Sequence, residues 1–152
     1  MKTLQDPESL RELCDRLRTV SLQNARLWGT MTPHQMICHL NDSFKFGTGE
    51  RITGMRTSPL SRTVVKWIAL YTPMQWPQGI RTLPEVDQYA GGTKPVAFDR
   101  DRDELLQTMA RFAGADQNFQ WGIHPIFGRM SPAEWLRWGY LHTDHHLRQF
   151  GA

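Results

Sequence analysis

The chain has 152 residues and a mass of 17.6 kDa, enough for one domain with a real core. Its 39% hydrophobic and 22% charged residues exclude a disordered chain, and its net charge of +3 is only mildly basic. Arg16, Arg18, Lys45, Arg62, Arg81, Arg100, Arg111 and Arg148 are scattered without a dense run, so no nucleic-acid partner is expected.

The opening stretch "MKTLQDPESL" turns polar after four residues, which is unlike the apolar region of a secretory leader. Asp6 before Pro7 places a capping oxygen ahead of a proline, and Leu10, Leu13, Cys14, Leu17 and Val20 then recur at spacings of three and four. This predicts a bundle helix over 7–20. Thr32 before Pro33 marks a second start, with a helix over 33–46 whose apolar face is Met36, Leu40, Phe44 and Gly47. Cys14 and Cys38 both lie within these helical patterns. They are read as buried small hydrophobes in a reducing compartment, not as a disulfide.

A shorter helix is expected over 59–71, "PLSRTVVKWIALY", although its centre is β-branched. That run is also too short to span a bilayer and carries Lys66, so a cytoplasmic protein with no membrane partner is expected. Residues 72–98 are rich in Pro and Gly and predict a long irregular loop, packed as a cover or functional. Asp99, Asp101, Asp103 and Glu104 suit the start of a helix over 100–113, with Leu105, Leu106, Met109 and Phe112 as its stripe. Ser131-Pro132-Ala133-Glu134 is a full capping box for a last helix over 132–149. The expected fold is all-α: a four-helix bundle over residues 1–152, with an extra short helix and a long irregular loop.

The last helix carries "LHTDHHLRQF", with three histidines inside five positions. At about 100° per residue, His142 and His146 project roughly 40° apart. They share the side of Trp135, Trp138 and Gln149, while Arg137, Asp144 and Arg148 occupy the other. Their i, i+4 spacing lets two imidazoles share one metal. His145 falls at the flank; a pairing of His142 with His145 at i, i+3 is the competing geometry. His39 lies at the edge of the apolar face of helix 33–46, beside Gln35 and Ser43. Burying each imidazole unpartnered costs on the order of 1–3 kcal/mol, which a bound divalent ion offsets. There is no H-E-x-x-H and no Glu-x-x-His, so one ion held through nitrogen is expected rather than a zincin or di-iron site.

"WGTMTPHQMICHL" followed by "HTDHHLRQFG" resembles the DinB/YfiT-like superfamily of metal-binding four-helix bundles. In particular it looks like a branch with His124-Pro125, Phe127-Gly128, Glu134-Trp135 and His142 through Phe150 in its pattern. The resemblance covers the chain from about Trp28 onward. It implies a DinB/YfiT-type bundle in which His39, His142 and His146 hold a Zn or Ni ion. It further implies either thiol S-transferase-like chemistry, with a low-molecular-weight thiol as cofactor, or hydrolysis. The expected partner is a small-molecule substrate, and a homodimer is compatible with this reading.

Three protein nitrogens leave a tetrahedral ion one open position, which activates water or takes up a thiol. A metal-dependent enzyme is therefore the first expectation and a non-catalytic metal- or ligand-binding bundle the alternative. His124 is the candidate acid/base at the pocket mouth, or else a turn-stabilising residue. Asp42, one turn after His39, either orients a ligand or is solvated. Trp28, Trp76, Trp121, Trp135 and Trp138 either wall a pocket or fill the core. Cys38 points about 100° away from His39 and is not counted as a ligand.

Overall fold

In the computed structural model, which describes residues 1–116 and 118–152, five helices follow one another. They are α1 (Pro7–Thr19), α2 (Pro33–Gly47), α3 (Lys66–Tyr71), α4 (Phe98–Ala113) and α5 (Pro132–Gln149). Among the described residues there is no strand, only an isolated antiparallel bridge between His124 and Gly128. No helix among them is long and apolar enough to cross a membrane.

Local chemistry starts three of these helices. The Asp6 carboxylate accepts the Ser9 N–H at 3.1 Å. Both Thr32 and Ser131 form complete capping boxes, with Gln35 and Glu134 as the reciprocal partners. α4 begins at Phe98, two residues earlier than the acidic cluster suggests, and its N-cap Ala97 offers no side chain. The Asp101 carboxylate, one turn inside, instead accepts the Val96 and Ala97 N–H groups at 3.1 and 3.3 Å. The expected helix 59–71 is split. Ser61–Val65 forms a wide π turn, and regular α-helix runs over Lys66–Tyr71. The β-branched run Thr63-Val64-Val65 crowds a tight turn, and the Thr63 hydroxyl donates back to the Pro59 carbonyl at 2.7 Å.

The stripes read from spacing meet in one core. Leu13 and Leu17 of α1, Met36, Leu40 and Phe44 of α2, and Leu105, Met109 and Phe112 of α4 are fully buried, as is Trp135 of α5. Each such side chain contributes about 1.5–3 kcal/mol of apolar burial. α2 packs against α4 and α5, and α1 against α5 and α4. The approach of α5 is close at Gly139, where a Cβ would lie 2.6 Å from Leu4 Cδ1 and 2.9 Å from Phe44 Cε1.

Residues 72–97 form the long connection, with a single 3-10 turn at Pro84–Val86. The loop is tied down from α2. Asp42, fully buried, accepts the Thr93 N–H and hydroxyl, both at 2.7 Å, and the Gln88 amide at 3.3 Å. Arg51 closes the cluster with an ion pair to Asp42 at 3.1 Å. This pins Pro84–Val86 beside the middle of α2.

Candidate metal centre

The packing of α2 on α5 brings His39, His142 and His146 together at the base of a cavity of about 770 Å³. His142 Nε2 lies 3.3 Å from His39 Nε2 and 3.2 Å from His146 Nε2. One ligand atom of each residue lies within 4.8 Å of the other two. His39 and His146 are 5% and 7% exposed, so their rings are effectively out of water.

Hydrogen bonds decide which nitrogens face one another. His39 Nδ1 lies 2.9 Å from the Val86 carbonyl, which can only accept, so this nitrogen carries the proton. The Gln149 amide donates to the Trp28 carbonyl at 2.8 Å, which turns its Oε1 toward His146 Nδ1, also at 2.8 Å. That nitrogen is therefore protonated as well. The Nε2 atoms of His39 and His146 both present lone pairs to His142 Nε2, which has at most one proton to share between them. His142 Nδ1 is buried and has no partner among the described residues. Its ring is held by packing on Trp138, with centroids 4.8 Å apart, and on Trp76, at 6.0 Å.

Nitrogens crowded in this way fit a shared cation. Tetrahedral ligands at 2.0–2.1 Å from an ion sit about 3.3 Å from one another, matching both contacts made by His142. Burial pushes all three imidazoles below the ordinary histidine range, His142 and His146 far below it, and each also suffers from its histidine neighbours or gains little from distant carboxylates. The rings are thus neutral, as ligation requires. No carboxylate joins the set, so its charge is zero.

The other candidate residues take different places. His145 is half-buried and outside the trio; its ring packs against Trp28 at 5.7 Å and Trp76 at 6.1 Å. The competing pairing of His142 with His145 is not the one that converges on His39. His124 lines the same cavity, but its Nδ1 accepts two backbone N–H groups, from Ile126 at 3.2 Å and Phe127 at 3.1 Å. Those bonds build a tight turn closed by the His124–Gly128 bridge, in which Gly128 takes φ +72°. Desolvation lowers the His124 pKa to about 3. The ring is a neutral Nε2–H tautomer. A base here would need a lone pair on Nε2, hence a proton on Nδ1 facing two N–H donors. The geometry gives His124 the turn-stabilising role and works against the acid/base one.

Asp42 follows neither expectation: it is not solvated, and it does not touch His39. It acts through the loop it holds, whose Val86 carbonyl orients His39. Of the five tryptophans considered for a pocket wall, Trp28, Trp76 and Trp138 line the cavity. Trp121 and Trp135 stack at 6.3 Å beside Phe112 in the core. Cys38 faces away from the trio, toward His34 and Asp101. That second cluster is a poor cation site. Asp101 Oδ2 already takes two backbone N–H groups and His34 Nε2 at 2.8 Å, and Oδ1 takes Arg100. Burial and Asp101 push the Cys38 thiol up to about 12, so it stays protonated. Val86 and Gln149, which orient two of the three imidazoles, carry no ligand-type side chain. A backbone carbonyl leaves no mark in a sequence, and only the place of Gln149 on the inward side pointed to it.

The all-helical chain thus carries a buried, uncharged three-imidazole cluster at the floor of a largely apolar cavity. It belongs to the family DUF1569, described as a protein of unknown function, whose model matches residues 3–152. No curated protein and no solved structure matches the chain.

Proposed function

We propose that this chain is a four-helix bundle of the DinB/YfiT type. In this reading His39, His142 and His146 hold one divalent ion, Zn or Ni, and the protein is a metal-dependent enzyme acting on a small molecule. The observation that carries the reading is the convergence of the His39 and His146 Nε2 atoms, their lone pairs fixed by hydrogen bonds, on His142 Nε2 at 3.3 and 3.2 Å. A divalent ion so held supplies undiminished positive charge at an open position, where water or a thiol is activated. Thiol transfer and hydrolysis both follow from that chemistry, with a low-molecular-weight thiol as cofactor in the first.

The chain's own residues supply the rest. Val86 and Gln149 keep two imidazoles in the ligating tautomer. Trp28, Met31, Phe46, Trp76, Leu83 and Trp138 give the cavity an apolar wall that excludes water and accepts the body of a drug-sized substrate. The His124 Nε2–H is a fixed donor that suits a carbonyl or ether oxygen. A second reading, a non-catalytic metal- or ligand-binding bundle, draws on the same observation about His124, because no other general base outside the trio was offered by the sequence.

Metal analysis of the purified protein tests the first step. About one Zn or Ni per chain is expected, and His142→Ala should largely remove it. Full occupancy in a His39, His142, His146 triple alanine variant would overturn the assignment. Thiol-dependent turnover of chlorinated or epoxide acceptors that vanishes on chelation and returns with the ion favours the enzyme. Stoichiometric metal without turnover of those acceptors or of simple esters favours the binding bundle.

A further inference from the structure

The segment from Arg51 to Arg81 has no aspartate or glutamate and five cations: Arg51, Arg56, Arg62, Lys66 and Arg81. It also carries ten of the sixteen exposed large apolar side chains in the described residues. Five of these form a helical stripe running through the π turn and α3: Leu60, Val64, Trp67, Ile68 and Tyr71, which are 60, 50, 59, 40 and 44% exposed. Met74 and Ile80 extend the apolar surface at 67 and 68% exposure. A stripe of this make-up leaves roughly 500 Å² of apolar area in water, at the upper end for a monomer's largest patch.

Charge selects the occupant. Arg51, Arg56 and Lys66 are neutralised by Asp42, Glu85 and Glu134. Arg62 and Arg81 have no acidic partner among the described residues, nor has Arg129, whose carbonyl lies beside Lys66. A second copy would present the same unpaired cations, and the acids beside them, Glu85 and Glu134, are already paired within the chain, so the face is not self-complementary in a two-fold dimer. A mixed apolar and cationic face with Trp and Tyr among its exposed members matches the interface of an anionic lipid layer. Val65 and Ala69 of the same segment line the cavity that holds the histidines, Ile68 lies at the boundary between cavity and stripe, and Met74 and Ile80 also border the cavity. We propose that the stripe through Leu60–Tyr71 docks the protein peripherally on an anionic membrane surface. This departs from the expectation of no membrane partner. It does not depend on the metal reading.

Vesicle co-sedimentation at low salt tests it, using phosphatidylcholine alone and equimolar phosphatidylcholine and phosphatidylglycerol. Binding is expected on the mixed vesicles, weakened at least about tenfold by Trp67→Ala and roughly fivefold each by Arg62→Gln and Arg129→Gln. Trp67 is an exposed side chain, and circular dichroism checks that the variant folds. Binding should survive His142→Ala, so loss of metal and loss of docking are read separately. No binding to the mixed vesicles, or equal binding to both kinds, overturns the proposal. So does a stable dimer in sedimentation equilibrium that Trp67→Ala dissociates, which assigns the stripe to a second copy. Tighter binding to single-stranded DNA than to mixed vesicles also overturns it, since the partner would then be a polyanion rather than a lipid surface.

Discussion

His145 and His146 are neighbours on α5, yet their rings leave the helix about 100° apart and meet different surroundings. His146 faces His142 at 3.2 Å and is oriented by Gln149, whereas His145 lies against Trp28 and Trp76. If the trio holds an ion, His146→Ala should lower metal affinity strongly, and His145→Ala by no more than about tenfold. Titration of Zn into both variants checks this, and a larger loss from His145→Ala would show that the His142–His145 pair is the ligating one. The direction in which His142 and His146 project was legible from helical periodicity alone. The partners of their outer nitrogens were not, because one is an amide chosen by rotamer and the ring opposite is oriented by a main-chain carbonyl.

At the scale of elements, α2 does two jobs through residues one turn apart. His39 faces the cavity, and Asp42 grips the loop at Gln88 and Thr93. Asp42→Ala would remove the carboxylate partner of Arg51, which keeps its bonds to the Glu85 and Gly91 carbonyls, and would free two donors of Thr93. A loss of about 2–4 kcal/mol in urea unfolding is expected, below the largest buried-pair values because Arg51 is partly solvated. Metal affinity should fall as well, since Val86 would no longer be held against His39. Unchanged stability would show that the loop is secured elsewhere. The stripes of α1, α2, α4 and α5 were readable to within one or two residues because packing and capping reinforce the same period. The π turn before α3 was not, because the choice between an α and a π turn rests on one hydroxyl contact and local crowding.

For the molecule as a whole, four buried neutral imidazoles make stability depend on pH. Burial holds His39, His124, His142 and His146 below their unfolded value of about 6.5. Below that pH the unfolded chain binds more protons than the folded one. The stabilisation is therefore complete above about pH 6.5 and is lost as pH falls toward the folded values, each histidine adding a slope of up to about 1.4 kcal/mol per pH unit. In the presence of chelator, the urea midpoint should drop steeply between about pH 7 and pH 5. A flat midpoint over that range would mean that the rings are solvated or charge-paired. Metal affinity should fall over the same range, because protons compete for the ligating nitrogens.

Short-range physics carries most of what the amino-acid sequence alone decided here. Proline and capping oxygens start helices, 3.6-residue periodicity assigns faces, and the i, i+4 spacing puts His142 and His146 on one side of α5. Long-range packing decided the rest. His39 meets the α5 pair only because α2 and α5 approach closely, with Gly139 allowing α5 to seat against Leu4 and Phe44. Asp42 became a loop clamp rather than a ligand's neighbour because residues 88–93 fold back over α2. His124 became a turn residue because two backbone N–H groups reached its Nδ1. The exposed stripe of α3 belongs to the same class. Its apolar spacing is visible in the chain, but whether such a face is covered depends on which other elements the fold has left to place over it.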